Sequence, residues 1–101
     1  MTLELWFKAD AGGVIATELG QTAINTAWHD THIELAPNGH VMVRVWPLNA
    51  VDLGTVTFGT WHHAAVRYNA ATNILDGALD GVPSANTVSG ARQQPNTNAQ
   101  Y

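Results

Sequence analysis

The sequence contains no cysteine, which excludes disulfide staples and thiolate metal sites. Basic residues are scarce as well. Four Lys and Arg against eight Asp and Glu leave a formal net charge of −4 at pH 7, a balance that argues against nucleic acid and against an anionic membrane as partners. No apolar run approaches the roughly 20 residues that a membrane-spanning helix needs. No basic segment followed by an apolar stretch opens the chain at Met1, so no secretory leader is read there. Charged residues make up only 12% of the 101 residues, while hydrophobic residues reach 46%. That is the reverse of a disordered composition, in which hydrophobicity is low and net charge high. What remains is one small folded domain. A chain this short buries only roughly 60–65% of its unfolded surface, so its high apolar content implies that part of its surface is covered by something else.

The hydrophobic period is two almost throughout. In Leu3-Glu4-Leu5-Trp6-Phe7-Lys8, the residues Leu3, Leu5 and Phe7 share one face and Glu4, Trp6 and Lys8 the other. Val41, Val43 and Val45 alternate with Met42, Arg44 and Trp46, and His62, Ala64, Val66 and Tyr68 alternate with Trp61, His63, Ala65 and Arg67. Such alternation predicts half-buried antiparallel strands. Shorter strands are predicted near Val14–Leu19, Thr31–Ala36, Gly54–Phe58, Ile74–Leu79 and Val82–Ala85. Asn38-Gly39 and Asp80-Gly81 predict tight type I′ hairpin turns, which need positive φ at both central residues. Asn69–Asn73 and Asp10–Gly13 suit longer loops. Gly20–Ala27 has room for one helical turn, and no other segment carries a helical apolar stripe. About eight short strands at these intervals indicate an all-β, antiparallel β-sandwich. From Ser89 onward alternation ceases, which divides the chain into a sandwich over residues 1–88 and a polar flexible tail or docking arm over 89–101.

Trp61-His62-His63-Ala64-Ala65-Val66-Arg67-Tyr68-Asn69, followed by Ile74-Leu75 and Leu79-Asp80-Gly81, resembles a pattern of the laminin-G-like jelly rolls in the concanavalin A-like lectin/glucanase superfamily. The opening Thr2-Leu3-Glu4-Leu5-Trp6-Phe7-Lys8 resembles the first strand of the same domains, and Asn38-Gly39-His40 falls at one of their hairpins. The resemblance covers residues 2–82 and implies a jelly-roll fold, shortened here. Domains of that family run to about 150–200 residues, a full domain's length, with further strands after the Asp-Gly hairpin. Ala78 also stands where they carry a tyrosine. Because an incomplete sandwich exposes edges and core, a homo-oligomer that completes the fold is expected; a fragment of a longer parent and a natural minimal version are the alternatives. The resemblance admits an extracellular or cell-surface parent, while the absence of cysteine fits the cytosol and an exported parent alike.

The predicted outward faces share a composition. Trp6 comes with Glu4 and Lys8, Trp46 with Arg44, and Trp61 with His63 and Arg67. If these strands belong to one sheet, its outer surface is an aromatic and cationic patch formed by Trp6, Arg44, Trp46, Trp61, His63 and Arg67. Indole faces stack on sugar rings while Arg, His and Glu hydrogen-bond hydroxyls, and the resemblance implies glycan binding on a sheet face. A non-catalytic module recognising a glycan or a polar protein surface is therefore expected. The alternative is a self-associating interaction domain, since aromatics and Arg are also enriched at protein interfaces.

His29-Asp30-Thr31-His32 places two imidazoles and a carboxylate within four residues. Same-face spacing on a strand is two, so His29 and His32 diverge, and no third zinc ligand is evident. Calcium, which the resemblance favours over zinc, needs several oxygens such as those of Asp10, Asp30 and Asp52, and nothing in the sequence gathers them. No cofactor is expected. One of His62 and His63 is expected to face the core and hydrogen-bond there, and Asp76 and Asp80 suit turn positions. The three glutamates, Glu4, Glu18 and Glu34, are isolated, so the paired carboxylates of glycoside hydrolysis have no candidate. No serine sits in a nucleophile elbow, and Gly12-Gly13 precedes a strand rather than a helix. An enzyme is not expected.

Overall fold

In the computed structural model, residues 1–19 and 29–91 are described. Among them are nine strands and no helix: β1 (Thr2–Lys8), β2 (Gly13–Leu19), β3 (His29–Leu35), β4 (His40–Val43), β5 (Val51–Thr55), β6 (Trp61–Asn69), β7 (Ile74–Leu79), β8 (Val82–Pro83) and β9 (Val88–Ser89). No helix among them is long and apolar enough to cross a membrane. The segment 20–28, which includes the predicted helical turn, and the tail from residue 92 lie outside the described residues.

All strand pairs are antiparallel. One sheet has the order β1-β6-β7-β8, with β9 also paired to β7, and the other has the order β2-β3-β4-β5. The chain lays down β1, crosses to the second sheet for a four-strand meander, and returns with β6 beside β1. The two sheets enclose one core, an arrangement consistent with a β-sandwich. The buried apolar residues are Phe7, Ala64, Val66, Tyr68, Leu75 and Leu79 from the first sheet, Ile33, Leu35, Val41, Val43 and Val51 from the second, and Val45 just after β4. These are the inward positions of the alternating pattern, because successive side chains of a strand point to opposite faces. Full burial of a Val, Leu, Ile or Phe side chain contributes about 1.5–3 kcal/mol. Across the core, Gly77 of β7 permits close approach. A Cβ there would lie 2.5 Å from the Ala65 carbonyl oxygen and 2.9 Å from Leu53 Cδ2.

The turns differ in how far they follow prediction. Asp80 (φ 51°) and Gly81 (φ 81°) both have positive φ, and Leu79 pairs with Val82, which makes a two-residue type I′ hairpin. At the other predicted type I′ turn only Gly39 is left-handed (φ 87°). Gly39 N donates to Ala36 O at 2.9 Å and Ala36 N to His40 O at 2.8 Å, so Pro37, Asn38 and Gly39 form a three-residue loop. Pro37 accounts for the change: its ring fixes φ near −65° and suits the first central position of an ordinary turn.

The predicted strand at Gly54–Phe58 lies earlier, at Val51–Thr55. Val51 pairs with Val43 and is buried, while Gly54 at φ 111° interrupts the alternation before Val56. β8 is likewise shorter than its predicted span. Ser89 pairs with Ile74 in β9, and Gly90 N donates to Asn73 O at 2.9 Å, so sheet pairing extends beyond the boundary predicted at residue 88.

Candidate ligand-binding face

The register of β1, β6 and β7 places their outward residues in rows across the sheet. Thr2, Arg67 and Asp76 form one row; Glu4, Ala65 and Ala78 the next; Trp6 and His63 a third; Lys8 and Trp61 a fourth. Asp80, at the end of β7, continues the third row, since its backbone N donates to His63 O at 2.7 Å. The row of small residues thus lies between an aromatic row and a charged row. Two adjoining depressions result. One of about 380 Å³ is lined by Trp6, His63, Asp80 and Gly81. The other, of about 250 Å³, is lined by residues that include Thr2, Ala65, Arg67, Asp76, Ala78 and Pro83.

Trp6 and Trp61 are 68% and 66% exposed. The Trp6 ring lies 5.1 Å from that of His63 with the planes at 60°, and His63 Nε2 is 3.8 Å from Glu4 Oε2. Arg67 Nε donates to Asp76 Oδ1 at 2.9 Å and Nη2 donates to Oδ2, a two-pronged pair that raises the guanidinium pKa above its ordinary value. Asp80 anchors the opposite end. Its Oδ2 accepts from His62 Nδ1 at 2.7 Å and its Oδ1 from the His63 backbone N at 2.8 Å. Those two bonds, the His62 one foremost, hold the Asp80 carboxyl below its usual range. His62 faces inward, 6.0 Å from the Phe7 ring, and its Nε2 lies 2.7 Å from Thr60 Oγ1. It therefore ties β6 to the β7–β8 turn.

Four of the six residues read from the sequence, Trp6, Trp61, His63 and Arg67, come together on this face. Arg44 and Trp46 do not join them. They follow β4 in the other sheet, where Arg44 N donates to His32 O at 3.1 Å. Arg44 lines a separate depression of about 200 Å³ with Glu34, Met42 and Ala50, and Trp46 is 51% exposed. The condition for a single patch, that all these strands share one sheet, is not met. Alternation says which residues face away from the core, but the outer faces of two stacked sheets point in opposite directions.

Asp76 is not a turn residue; it stands within β7 opposite Arg67. A signal for this pair was present. In a hairpin closed by Asn69 and Ile74, the residues two steps outward on each side are Arg67 and Asp76. The floor residues Ala65 and Ala78 carry no chemistry-bearing group and offer no comparable signal.

Among the described residues, no group of three or more His, Asp or Glu is placed to hold a metal ion. His32 is fully buried with its Nδ1 3.0 Å from Arg44 O, while the side chains of His29 and Asp30 lie outside the described part of the structure. No protein-family model, no curated protein and no solved structure matches this chain.

Proposed function

We propose that the protein is a non-catalytic binding module that recognises carbohydrate on the outer face of the five-stranded sheet, built on a shortened laminin-G-like jelly roll of the concanavalin A-like superfamily. The observation that carries this reading is the small-residue floor, Ala65 and Ala78, between the Trp6–His63 row and the Arg67–Asp76 pair. An exposed indole offers an apolar stacking surface, and the ion pair presents donors and acceptors side by side at the far end of the trough. Sites of this kind combine apolar area with a few placed polar groups. The carboxylates beside the trough support a binding role over a catalytic one. Asp76 is held in a two-pronged pair with Arg67, and Asp80 is bound by His62 and the His63 backbone, so each carboxylate is already engaged by the protein. The test is a tryptophan-fluorescence titration with soluble oligosaccharides, repeated on Trp6→Ala. Binding that is lost in the variant is the expected result; equal binding by both proteins overturns the assignment of this face.

A second reading is favoured by the sheet edge. Among the described residues β1 pairs only with β6, so a seven-residue strand borders the face that carries Trp6 and Trp61, and unpaired edges invite pairing with another chain. On this reading the aromatic face and the edge beside it are the interface of a homo-oligomer. Light scattering at micromolar concentration tests it: an oligomer that dissociates in Trp6→Ala supports the interface, and a monomeric wild type refutes it.

A further inference from the structure

We infer that the carbohydrate bound on this face is an uncharged oligosaccharide of at least two units, lying along β6 and β7 from Trp6 to the Arg67–Asp76 pair, rather than a sulfated or uronate-containing chain. This inference rests on the carbohydrate-binding reading above and adds the ligand's charge class and its minimum length.

The charge class follows from which cations the face has to offer. Along the trough between Trp6 and the Arg67–Asp76 pair, an anionic glycan needs a guanidinium or ammonium group that is not already neutralised, and the exposed Lys8 stands outside it, in the Trp61 row beyond Trp6. Arg67, the guanidinium on this face, has both Nε and Nη2 committed to Asp76. A sulfate or carboxylate arriving there would displace Asp76 or lie beside it, and like charges in contact repel. At the other end of the trough stands Asp80, whose hydrogen bonds from His62 and the His63 backbone favour its charged form. Glu4 borders the middle row and is exposed. Glu4, Asp76 and Asp80 thus face Lys8 and Arg67, so carboxylates outnumber fixed cations on the face, as they do over the whole chain with its net charge of −4. Such a surface repels polyanions over distances near the Debye length, about 10 Å at moderate salt. The Arg67–Asp76 pair still suits a neutral sugar. A guanidinium carries five N–H donors and a carboxylate about four acceptor positions, so both retain capacity beyond the bonds they share. A vicinal diol can bridge them, donating to the carboxylate and accepting from the guanidinium.

The minimum length follows from the two depressions. The one at Arg67 and Asp76, about 250 Å³, falls below the roughly 300–1,000 Å³ of ordinary ligand sites, and the one at Trp6, about 380 Å³, stands near the lower end of that range. They adjoin along the strands, because Ala65, which lines one, stands on β6 two residues from His63, which lines the other, so both share one side of the sheet. A single sugar ring fills one depression and leaves either the indole or the ion pair unused. Two linked rings engage both.

The test uses the whole chain and defined probes. Neutral tetrasaccharides (cellotetraose, chitotetraose, maltotetraose, mannotetraose) are compared by calorimetry and tryptophan fluorescence with a heparin tetrasaccharide, with tetragalacturonate and with the matching neutral monosaccharides. The expected result is binding of at least one neutral tetrasaccharide, tighter by about tenfold or more than either anionic probe and than its own monosaccharide, the margin that one good polar contact supplies. Equal or tighter binding of an anionic tetrasaccharide overturns the charge class and leaves carbohydrate binding intact. Equal binding of monosaccharide and tetrasaccharide overturns the two-unit length. Binding of no probe refutes the carbohydrate reading and this inference together. Asp76→Asn supplies an independent check: with Arg67 relieved of its carboxylate, heparin-tetrasaccharide affinity should rise by about tenfold. Unchanged affinity in a variant that melts cooperatively shows that pairing to Asp76 is not what excludes anions.

Discussion

His62 and Asp80 are joined across the β6–β7–β8 corner by a 2.7 Å hydrogen bond from Nδ1 to Oδ2, and the second Asp80 oxygen accepts the His63 backbone N–H at 2.8 Å. One carboxylate therefore holds the β7–β8 turn against the strand that carries Trp61, His63 and Arg67. The left-handed conformation of Asp80 is compatible with this role, because a short polar side chain tolerates positive φ and bonds locally.

That bond gives stability a pH signature. The Asp80 carboxyl is held below its ordinary value of 3.8 in the folded chain, so the folded state binds its proton less readily than the unfolded state does. The stabilisation is complete above the unfolded pKa, about 3.9 for an aspartate, and is lost as pH falls through the lower folded value. Asp80→Asn should melt below wild type at neutral pH; the gap should begin to narrow as pH falls below about 4 and close only once pH has passed below the lowered folded value, where both carry an uncharged side chain. Melting curves by circular dichroism from neutral to acid pH check this; a gap that stays constant contradicts it.

The three outward tryptophans should separate by face. Trp6→Ala and Trp61→Ala remove exposed side chains, so each should change stability by no more than about 0.5 kcal/mol. Trp6→Ala, which removes the ring lining the trough, should also weaken oligosaccharide binding by about tenfold or more, the scale of one lost stacking contact with its desolvation. Trp46→Ala, in the turn that follows β4, should leave that affinity unchanged. Parallel chemical denaturation and fluorescence titration of the three variants make the comparison, and loss of binding in Trp46→Ala alone would move the site to the four-stranded sheet.

Gly77→Ala should destabilise the protein by about 1–3 kcal/mol, the usual cost of overpacking a well-filled interior. The added methyl would meet the Ala65 carbonyl oxygen at 2.5 Å and Leu53 Cδ2 at 2.9 Å. Leu53 is a side chain and can move, but the Ala65 oxygen is backbone within the β6–β7 ladder. Urea denaturation measures the loss, and a midpoint equal to wild type would show that the ladder yields freely.

Tyr68→Phe should cost about 1 kcal/mol, the net worth of a partly buried hydrogen bond. The Tyr68 hydroxyl lies 2.7 Å from Gly90 O and 3.0 Å from Asn73 Oδ1, so it joins the end of β9 to the β6–β7 loop. A fall in melting temperature of about 4–8 °C is expected for a domain of this size. Hydrogen exchange should accelerate at Gly90, whose N–H binds Asn73 O. Unchanged exchange there would mean that β9 is held by its strand pairing alone.

Local pattern determined most of the strands and the division of their side chains into inward and outward sets. Leu3, Leu5 and Phe7 opposite Glu4, Trp6 and Lys8, or Val41, Val43 and Val45 opposite Met42, Arg44 and Trp46, follow from the two-residue period of an extended chain, which is a property of neighbouring residues. The Asp80-Gly81 hairpin was legible for the same reason: two consecutive positive-φ positions are a local demand. At Asn38-Gly39 the neighbouring Pro37 altered the loop, and only the observed backbone showed how.

Tertiary structure alone decided which outward sets share a surface. Trp6 meets His63, and Glu4 meets Ala65, through pairings that span most of the chain, while Arg44 lies with Glu34 and Met42 of the other sheet and Trp46 in the turn after β4. The sequence implied apolar surface in need of a cover. Long-range strand pairing divided it between two outer faces, and it set Trp6 of β1 beside the β6–β7 hairpin that carries the small-residue floor and the Arg67–Asp76 pair.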